Sequence, residues 1–563
     1  MGYFWTIIVL LVLLGLAWRF LGAYMVAVFE GRVHFLGFIE RPIYALLGTS
    51  PEREQTWKRY AGSVVVFSGL SIGITYAILR LQGSLPWNPQ HFEAVGSPLA
   101  WNTATSFVTN TDWQNYGGET TMSYLSQMTA LTVQQFVTPA VGIGAALVII
   151  RGFSKKGSPT VGNFWVDVTR ALLYLLAPIA ILGGLIFVGQ GAVDTLSGPV
   201  NVHNSLNGVS QTIALGPVGF MEAIKQLGTN GGGFFNINSA HPFENPTGLT
   251  NLLSMFLLLC IPVSLTYVFG KMVGSVRQGM AVLAAMFIIF GAWTAISTTA
   301  ETRPNPAVQE AGLIHQPTGN TTGKEVRFGV PSSALFGVSS TSTSTGSANS
   351  AYDSFTPIGG GMNLTGMMLG EVTPGGVGSG MYTILIYAII AVFLGGLMVG
   401  RTPEYLGKKI QATEVKLAGL GTLVMPITVL VVTALAVSLH AGRAGPLNAG
   451  PHGFSEILYA LTSQGNNNGS AFGGLTGNTP FYNILGGIDM LIGRFGIMIP
   501  AIALGGVLAA KNVVPAGAGT FRTDNPMFVG LLIGVVVIVG GLTFFPAVSL
   551  GPIVEQLSHG KFF

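Results

Sequence analysis

The sequence predicts an all-α polytopic membrane protein, with about ten transmembrane helices and four pseudo-fourfold membrane-pore-membrane repeats around a central pore. Three observations predict this class. The 563 residues are 49% hydrophobic and only 9% charged, against roughly 25% charged in a typical soluble domain. Ten apolar runs approach the roughly 20 residues that a bilayer crossing needs; they lie near 3–28, 61–82, 126–150, 171–192, 248–270, 279–299, 380–400, 417–440, 481–510 and 527–549. Four polar loops, finally, interrupt the apolar chain at a nearly constant interval.

The first run carries no charge before Arg19 and lacks the basic start and small-residue cleavage site of a signal peptide, so it reads as an uncleaved span. The connections after the odd-numbered spans are basic. Arg32, Arg41, Arg53, Lys58 and Arg59 follow the first; Arg151, Lys155, Lys156 and Arg170 the third; Lys271 and Arg277 the fifth; Arg401, Lys408, Lys409 and Lys416 the seventh; Lys511 and Arg522 the ninth. Enrichment of Lys and Arg marks cytoplasmic loops, so the other connections open outward and both termini are expected outside. The single cysteine, Cys260, sits in an apolar run and reads as a packing residue, with no disulfide and no cysteine metal cluster available.

The polar loops are Val108–Gln114, Gly228–Asn236, Thr343–Asn349 and Gly465–Phe472. Asn110 to Gly231 is 121 residues, Gly231 to Gly346 is 115 and Gly346 to Gly469 is 123. Two spans separate successive loops, so all four enter from one face as parallel repeats, related by an axis along the membrane normal. The expected divisions are an added span and cytoplasmic loop at 1–59, repeats at 60–160, 161–277, 278–413 and 414–522, and an added span at 523–563. The connection 302–330 reads as a surface loop.

Before each loop lies a partly apolar segment of about ten residues, too short to span: Leu99–Phe107, Gly219–Leu227, Ser332–Ser340 and Gly453–Leu461. As re-entrant helices they would direct four carbonyl ends, the negative ends of their dipoles, at the pore centre, which favours a cation. Irregular backbone at membrane depth is tolerated where it is buried in protein or lines a watery cavity, and rings of backbone carbonyls that replace the hydration shell of potassium are one such use. Only Asp112 and Asp353 lie nearby as charges, fewer than a divalent-ion site would want. A phosphate cradle needs Lys-Ser/Thr after the last glycine, whereas Phe234 follows Gly233. A structural turn explains one such loop, but explains four at a constant interval poorly.

The stretches Gly228–Asn236, His241–Pro246, Gly400–Lys409, Asn466–Phe472 and Gly493–Gly496 resemble the KdpA family, the potassium-binding subunits of bacterial Kdp pumps, over essentially the whole chain. The resemblance implies the fold of the potassium-transporter superfamily, a bacterial inner-membrane location, potassium as the bound ion, and partners similar to the P-type ATPase subunit KdpB and the smaller KdpC and KdpF. Carried over by motif, it implies a filter of Asn110, Thr111, Thr229, Asn230, Gly231, Gly232, Thr345, Gly346, Asn468 and Gly469, with Gln114 at the outer entry. Arg494, inside the ninth span, is expected either as a positive barrier below the filter or as a structural partner of Asp489 or a carbonyl. Arg401, Lys408 and Lys409 are the expected gate or partner contact, unless they form only a basic loop. The chain has no P-loop and no Asp-Lys-Thr-Gly phosphorylation motif, so ATP hydrolysis is expected on a partner. The remaining alternatives are a Trk- or Ktr-like subunit driven by ion gradients, or a membrane scaffold that conducts nothing; nucleic-acid binding is not expected.

Overall fold

The computed structural model describes residues 2–203, 208–312, 315–398, 400, 402–515 and 521–558. Among these, ten helices are long and apolar enough to cross a membrane: Tyr3–Phe29, Trp57–Ser84, Ser126–Ser154, Phe164–Gly189, Gly248–Met272, Val276–Glu310, Ser379–Met398, Ala412–Ser438, Pro480–Ala509 and Pro526–Leu557. They fall on the ten runs expected from the sequence. Their starts carry the usual signals: the side chains of Thr479 and Asn525 accept backbone N–H bonds at their helix N-termini, each followed by proline, and Thr247 and Thr250 cap the fifth span reciprocally.

Position in the bundle follows from composition. In the third and fifth spans 83% and 89% of the most apolar stretch is buried, against 22% and 33% in the first and tenth. The former are therefore central and the latter peripheral, their apolar side chains left for lipid. Two short antiparallel hairpins, Val200–His203 with Ser210–Ile213 and Glu404–Tyr405 with Lys408–Lys409, are the additions to an otherwise helical chain.

Four shorter helices precede the polar loops: Ser97–Val108, Gly219–Leu227, Val330–Thr341 and Gly450–Gly465. They coincide with the four segments expected to re-enter. A feature the hydropathy pattern hides lies before the seventh span. The helix Pro357–Met368 ends there, and residues 369–378 run irregularly, through Gly370, Gly375, Gly376 and Gly378, before the span resumes at Ser379. Irregular backbone inside a membrane bundle needs protein partners for its amides, and the polar loops supply them.

Candidate functional site

The four loops close on their helices in the same way. Thr111 N donates to Ser106 O, Asn230 N to Lys225 O, Thr345 N to Ser340 O and Asn468 N to Ser463 O, each spanning five residues at 2.8–3.2 Å. The residue before each closing donor, Asn110, Thr229, Ser344 or Asn467, takes a left-handed φ between 49° and 63°. Such a backbone is uncommon outside glycine and is held only when its surroundings over-determine it. Here a chain of bonds does so. Asn230 Nδ2 donates to Asn110 Oδ1 at 2.9 Å, Gly346 N to Asn230 O at 2.8 Å, Asn468 Nδ2 to Thr341 O at 3.1 Å, and Asn467 Nδ2 to Thr111 Oγ1 at 2.9 Å. First loop to second, second to third, fourth to the end of the helix that carries the third, and fourth back to first, the circuit closes.

The closing bonds also set the register. They align Thr111 with Asn230, Thr345 and Asn468, and Asp112 with Gly231, Gly346 and Gly469. By these bonds Asn110, carried over by motif with Thr111, precedes the aligned position in the first loop, and Gly346 stands at the glycine position of the third. At the centre the chains leave no room for side chains. A Cβ on Gly231, whose φ is 112°, would lie 2.1 Å from Gly346 N, and one on Gly469, φ 92°, would lie 1.9 Å from Thr111 O. Glycine there is a steric requirement.

The other motif residues occupy supporting places. Thr229 Oγ1 accepts a bond from Val377 N at 3.0 Å, and Gly232 O accepts one from Gln135 Nε2 at 2.5 Å. Gln114 clasps the second loop from both sides, donating to Gly233 O at 3.0 Å and accepting from Gly233 N at 2.9 Å. It also lines a cavity of about 480 Å³ above the ring, shared with Asp112, Gly231, Gly346, Gly469, Lys324 and Phe472. Lys324 Nζ is held 2.6 Å from Glu301 at the edge of that cavity.

Two carboxyl groups at the ring carry roles that motif reading missed. Asp112 stands at a glycine position, buried, and neither of its carboxylate oxygens has a hydrogen-bond partner. Glu371, in the irregular segment, accepts from Asn468 Nδ2 at 2.8 Å and from Ser344 Oγ, joining the third and fourth loops from behind. The run Gly370-Glu-Val-Thr-Pro-Gly-Gly376 beside an apolar span was the signal available for Glu371.

Arg494 lies beneath the loops, buried, with Nη2 3.4 Å from Thr138 O; Thr138 in turn donates to Asn110 at 2.7 Å. Among the described residues it forms no ion pair within 4.0 Å, and neither carboxylate oxygen of Asp489 has a hydrogen-bond partner, so the pairing with Asp489 is not formed. A Cβ on Gly142 would lie 3.5 Å from Nη2 of Arg494 and 2.4 Å from Val377 O, which places the arginine close to where the irregular segment crosses the third span.

Of the basic residues after the seventh span, Arg401 lies outside the described residues. Lys409 is exposed, whereas Lys408 is buried and donates to the carbonyls of Lys155 at 2.5 Å, Leu508 at 2.6 Å and Lys511 at 3.3 Å. Burial, with Lys511 and Lys156 nearby, pushes its ammonium down to about 8. It caps carbonyl ends of the third and ninth spans, anchoring the hairpin to both.

The arrangement defines the class of protein: a multi-pass membrane protein in which the loops after four short helices meet in a ring. The same fold occurs in the crystal structure of the potassium transporter TrkH from Vibrio parahaemolyticus, which superposes with a TM-score of 0.52 at 15% identity, covering 87% of this chain and 96% of that one. The family model described as KdpA, potassium-transporting ATPase A subunit, matches residues 7–557, and the chain belongs to that family. Two relatives are named potassium-transporting ATPase potassium-binding subunit. The one from Mesorhizobium japonicum is 55% identical over 557 residues, covering 98% of each chain, and the one from Methylobacterium nodulans is 55% identical over 542 residues, covering 96% of this chain and 94% of its own.

Proposed function

We propose that this chain is the potassium-binding and translocating subunit of an ATP-driven uptake complex in the bacterial inner membrane. Potassium enters from the extracytoplasmic side and exchanges its water for backbone oxygens of the loop ring, at Thr111, Asn230, Gly231, Thr345, Gly346, Asn468 and Gly469. The observation that carries this reading is the closed circuit of hydrogen bonds from loop to loop, which holds neutral backbone at one point in the bundle. The alternating basic connections put the ring on the outer side and both termini outside. The four repeats are 60–160, 161–277, 278–413 and 414–522, with the added spans at 1–59 and 523–563.

Arg494 is the barrier below the ring. An arginine at the centre of a span costs about 2.5–3.5 kcal/mol on insertion scales, and with no ion pair among the described residues it places a positive charge on the path of a cation. ATP is hydrolysed by a partner similar to KdpB, with small subunits similar to KdpC and KdpF completing the complex. Lys409 and Arg401 are the basic residues offered to that partner, while Lys408 holds their loop in place.

Potassium-stimulated ATPase activity of the complex purified from native membranes tests the reading. Gly231→Asp and Gly346→Ala are each expected to raise the potassium concentration for half-maximal activity at least tenfold in an assembled complex. Unchanged potassium dependence in both removes the ring as the binding site, and a purified chain without an ATPase partner favours the Trk-like or scaffold alternatives. Arg494→Gln is expected to permit potassium flux without ATP, measured in proteoliposomes; a tight, inactive complex would make the arginine structural.

A further inference from the structure

Away from the ring, side chains from three parts of the chain meet beside a second cavity. Asp353 follows the third loop in the turn Tyr352–Ser354. His452 and Glu456 sit in the first turns of the helix Gly450–Gly465, four residues apart and so on one face. Glu555 belongs to the last helical turn described, Val554–Leu557, beyond the kink at Gly551. One ligand atom each from Asp353, His452 and Glu456 lie within 4.8 Å of one another. The adjoining cavity, about 200 Å³, is lined by Asp353, Asn448, His452 and Glu555 among others, with no lysine or arginine from the described residues.

Three carboxylates surround one imidazole, and the orientation of the ring is informative. Its Nδ1 is 2.8 Å from Glu555 Oε1, and its Nε2 is 2.9 Å from Asp353 Oδ1. A histidine that ligates a metal through one nitrogen commonly gives its other N–H to a carboxylate, which fixes the tautomer and ring direction. Glu555 supplies that carboxylate at Nδ1, the nitrogen opposite the one that faces Asp353. Glu456 is itself positioned, since Asn448 Nδ2 donates to its Oε1 at 2.7 Å and Leu447 N to its Oε2 at 3.0 Å.

We infer that Asp353, His452 and Glu456 form a site for a divalent first-row transition-metal cation, with Glu555 orienting the histidine and water from the cavity completing the coordination. Oxygen and imidazole nitrogen ligands at about 2.0–2.2 Å from a tetrahedral ion lie roughly 3.4 Å apart, so ligand atoms at the 4.8 Å limit close by about 1 Å, while Asp353, now 2.9 Å from His452 Nε2, draws back by about 0.5 Å to admit the ion. One imidazole with two carboxylates is a ligand set for zinc or manganese; calcium would take oxygen alone. The bound ion would cross-link the third loop's turn to the fourth re-entrant helix, with Glu555 extending the link to the end of the tenth span. The site makes no use of the potassium ring.

The test uses the intact purified complex, stripped with chelator and titrated with Zn²⁺, Mn²⁺ or Ca²⁺. Expected is one saturable Zn²⁺ per chain and a higher melting temperature with Zn²⁺. Asp353→Asn, at the most exposed ligand, is expected to weaken Zn²⁺ binding at least tenfold while potassium-stimulated ATPase activity stays at the wild-type level, and His452→Ala to abolish binding. Glu555→Gln is expected to weaken it 10- to 100-fold with the stoichiometry kept. Zn²⁺ uptake equal in wild type and both ligand variants, or Ca²⁺ bound more tightly than Zn²⁺, overturns the proposal.

Discussion

The second and third loops close on their helices through the same backbone bond, yet they are braced by opposite chemistry. Behind the second loop, Lys225 is buried among carboxylates: its ammonium contacts Glu222 and lies 2.6 Å from Glu244 and 3.0 Å from Asn238 Oδ1, while Asn238 Nδ2 donates to Gly231 O at 2.5 Å. Behind the third loop the equivalent residue is Ser340, whose hydroxyl reaches Thr345 O and Ser347 O at 2.5 Å each, beside the Thr343 and Thr345 hydroxyl pair at 2.9 Å. An ionic brace and a hydroxyl brace produce one backbone shape. The shape is therefore a property of the ring, to which each repeat supplies its own support.

The comparison breaks most readily at Lys225. Lys225→Met leaves two buried carboxylates without their cation, and removing one partner of a buried ion cluster costs about 3–5 kcal/mol. A lower thermal midpoint and poor recovery of the complex are expected, and adding Glu222→Gln and Glu244→Gln is expected to restore part of the loss. If the single variant melts like wild type, the brace is not ionic. Ser340→Ala is expected to cost less, about 1–3 kcal/mol for the carbonyls left unbonded, and to show chiefly as weaker potassium dependence, because Thr345 O belongs to the ring itself. Equal loss of stability in both variants would erase the difference between the loops.

The smallest effect expected is in pH. His241, behind the second loop, stacks on Phe235 with centroids 3.7 Å apart and accepts a bond from Phe243 N at 3.1 Å. Burial, with Arg327 nearby, pushes its imidazole down to about 4 from the usual 6.5. The unfolded chain then binds this proton first, so stability is intact above pH 6.5 and declines as pH falls toward 4. Melting of His241→Gln should lose that part of the pH dependence; the hydroxyl brace of the third loop has no counterpart. An unchanged profile would remove His241 as its source.

The ten spans, the four short helices and the four loops were legible in the sequence because each follows from local properties: apolar length, punctuation by glycine and polar residues, and a repeat near 120 residues. In three loops a glycine marks the centre in the sequence. In the first no glycine does, because Asp112 takes its place with a left-handed φ of 55°. Lys408 is the parallel case among charges. A cluster of lysines reads as an exposed basic loop, and only the approach of the third and ninth spans shows that this one is spent on their carbonyl ends.

By itself, the sequence determined that the chain is a polytopic helical membrane bundle and where irregular backbone must be sheltered, since hydropathy and glycine act over a few residues. Tertiary structure decided which atoms meet. It closed the loops into a circuit, put Glu371 behind two of them, left Arg494 without an ion pair among the described residues, and joined Asp353, His452 and Glu555 from positions about 100 residues apart. Those outcomes depend on contacts between remote segments, which no local pattern encodes.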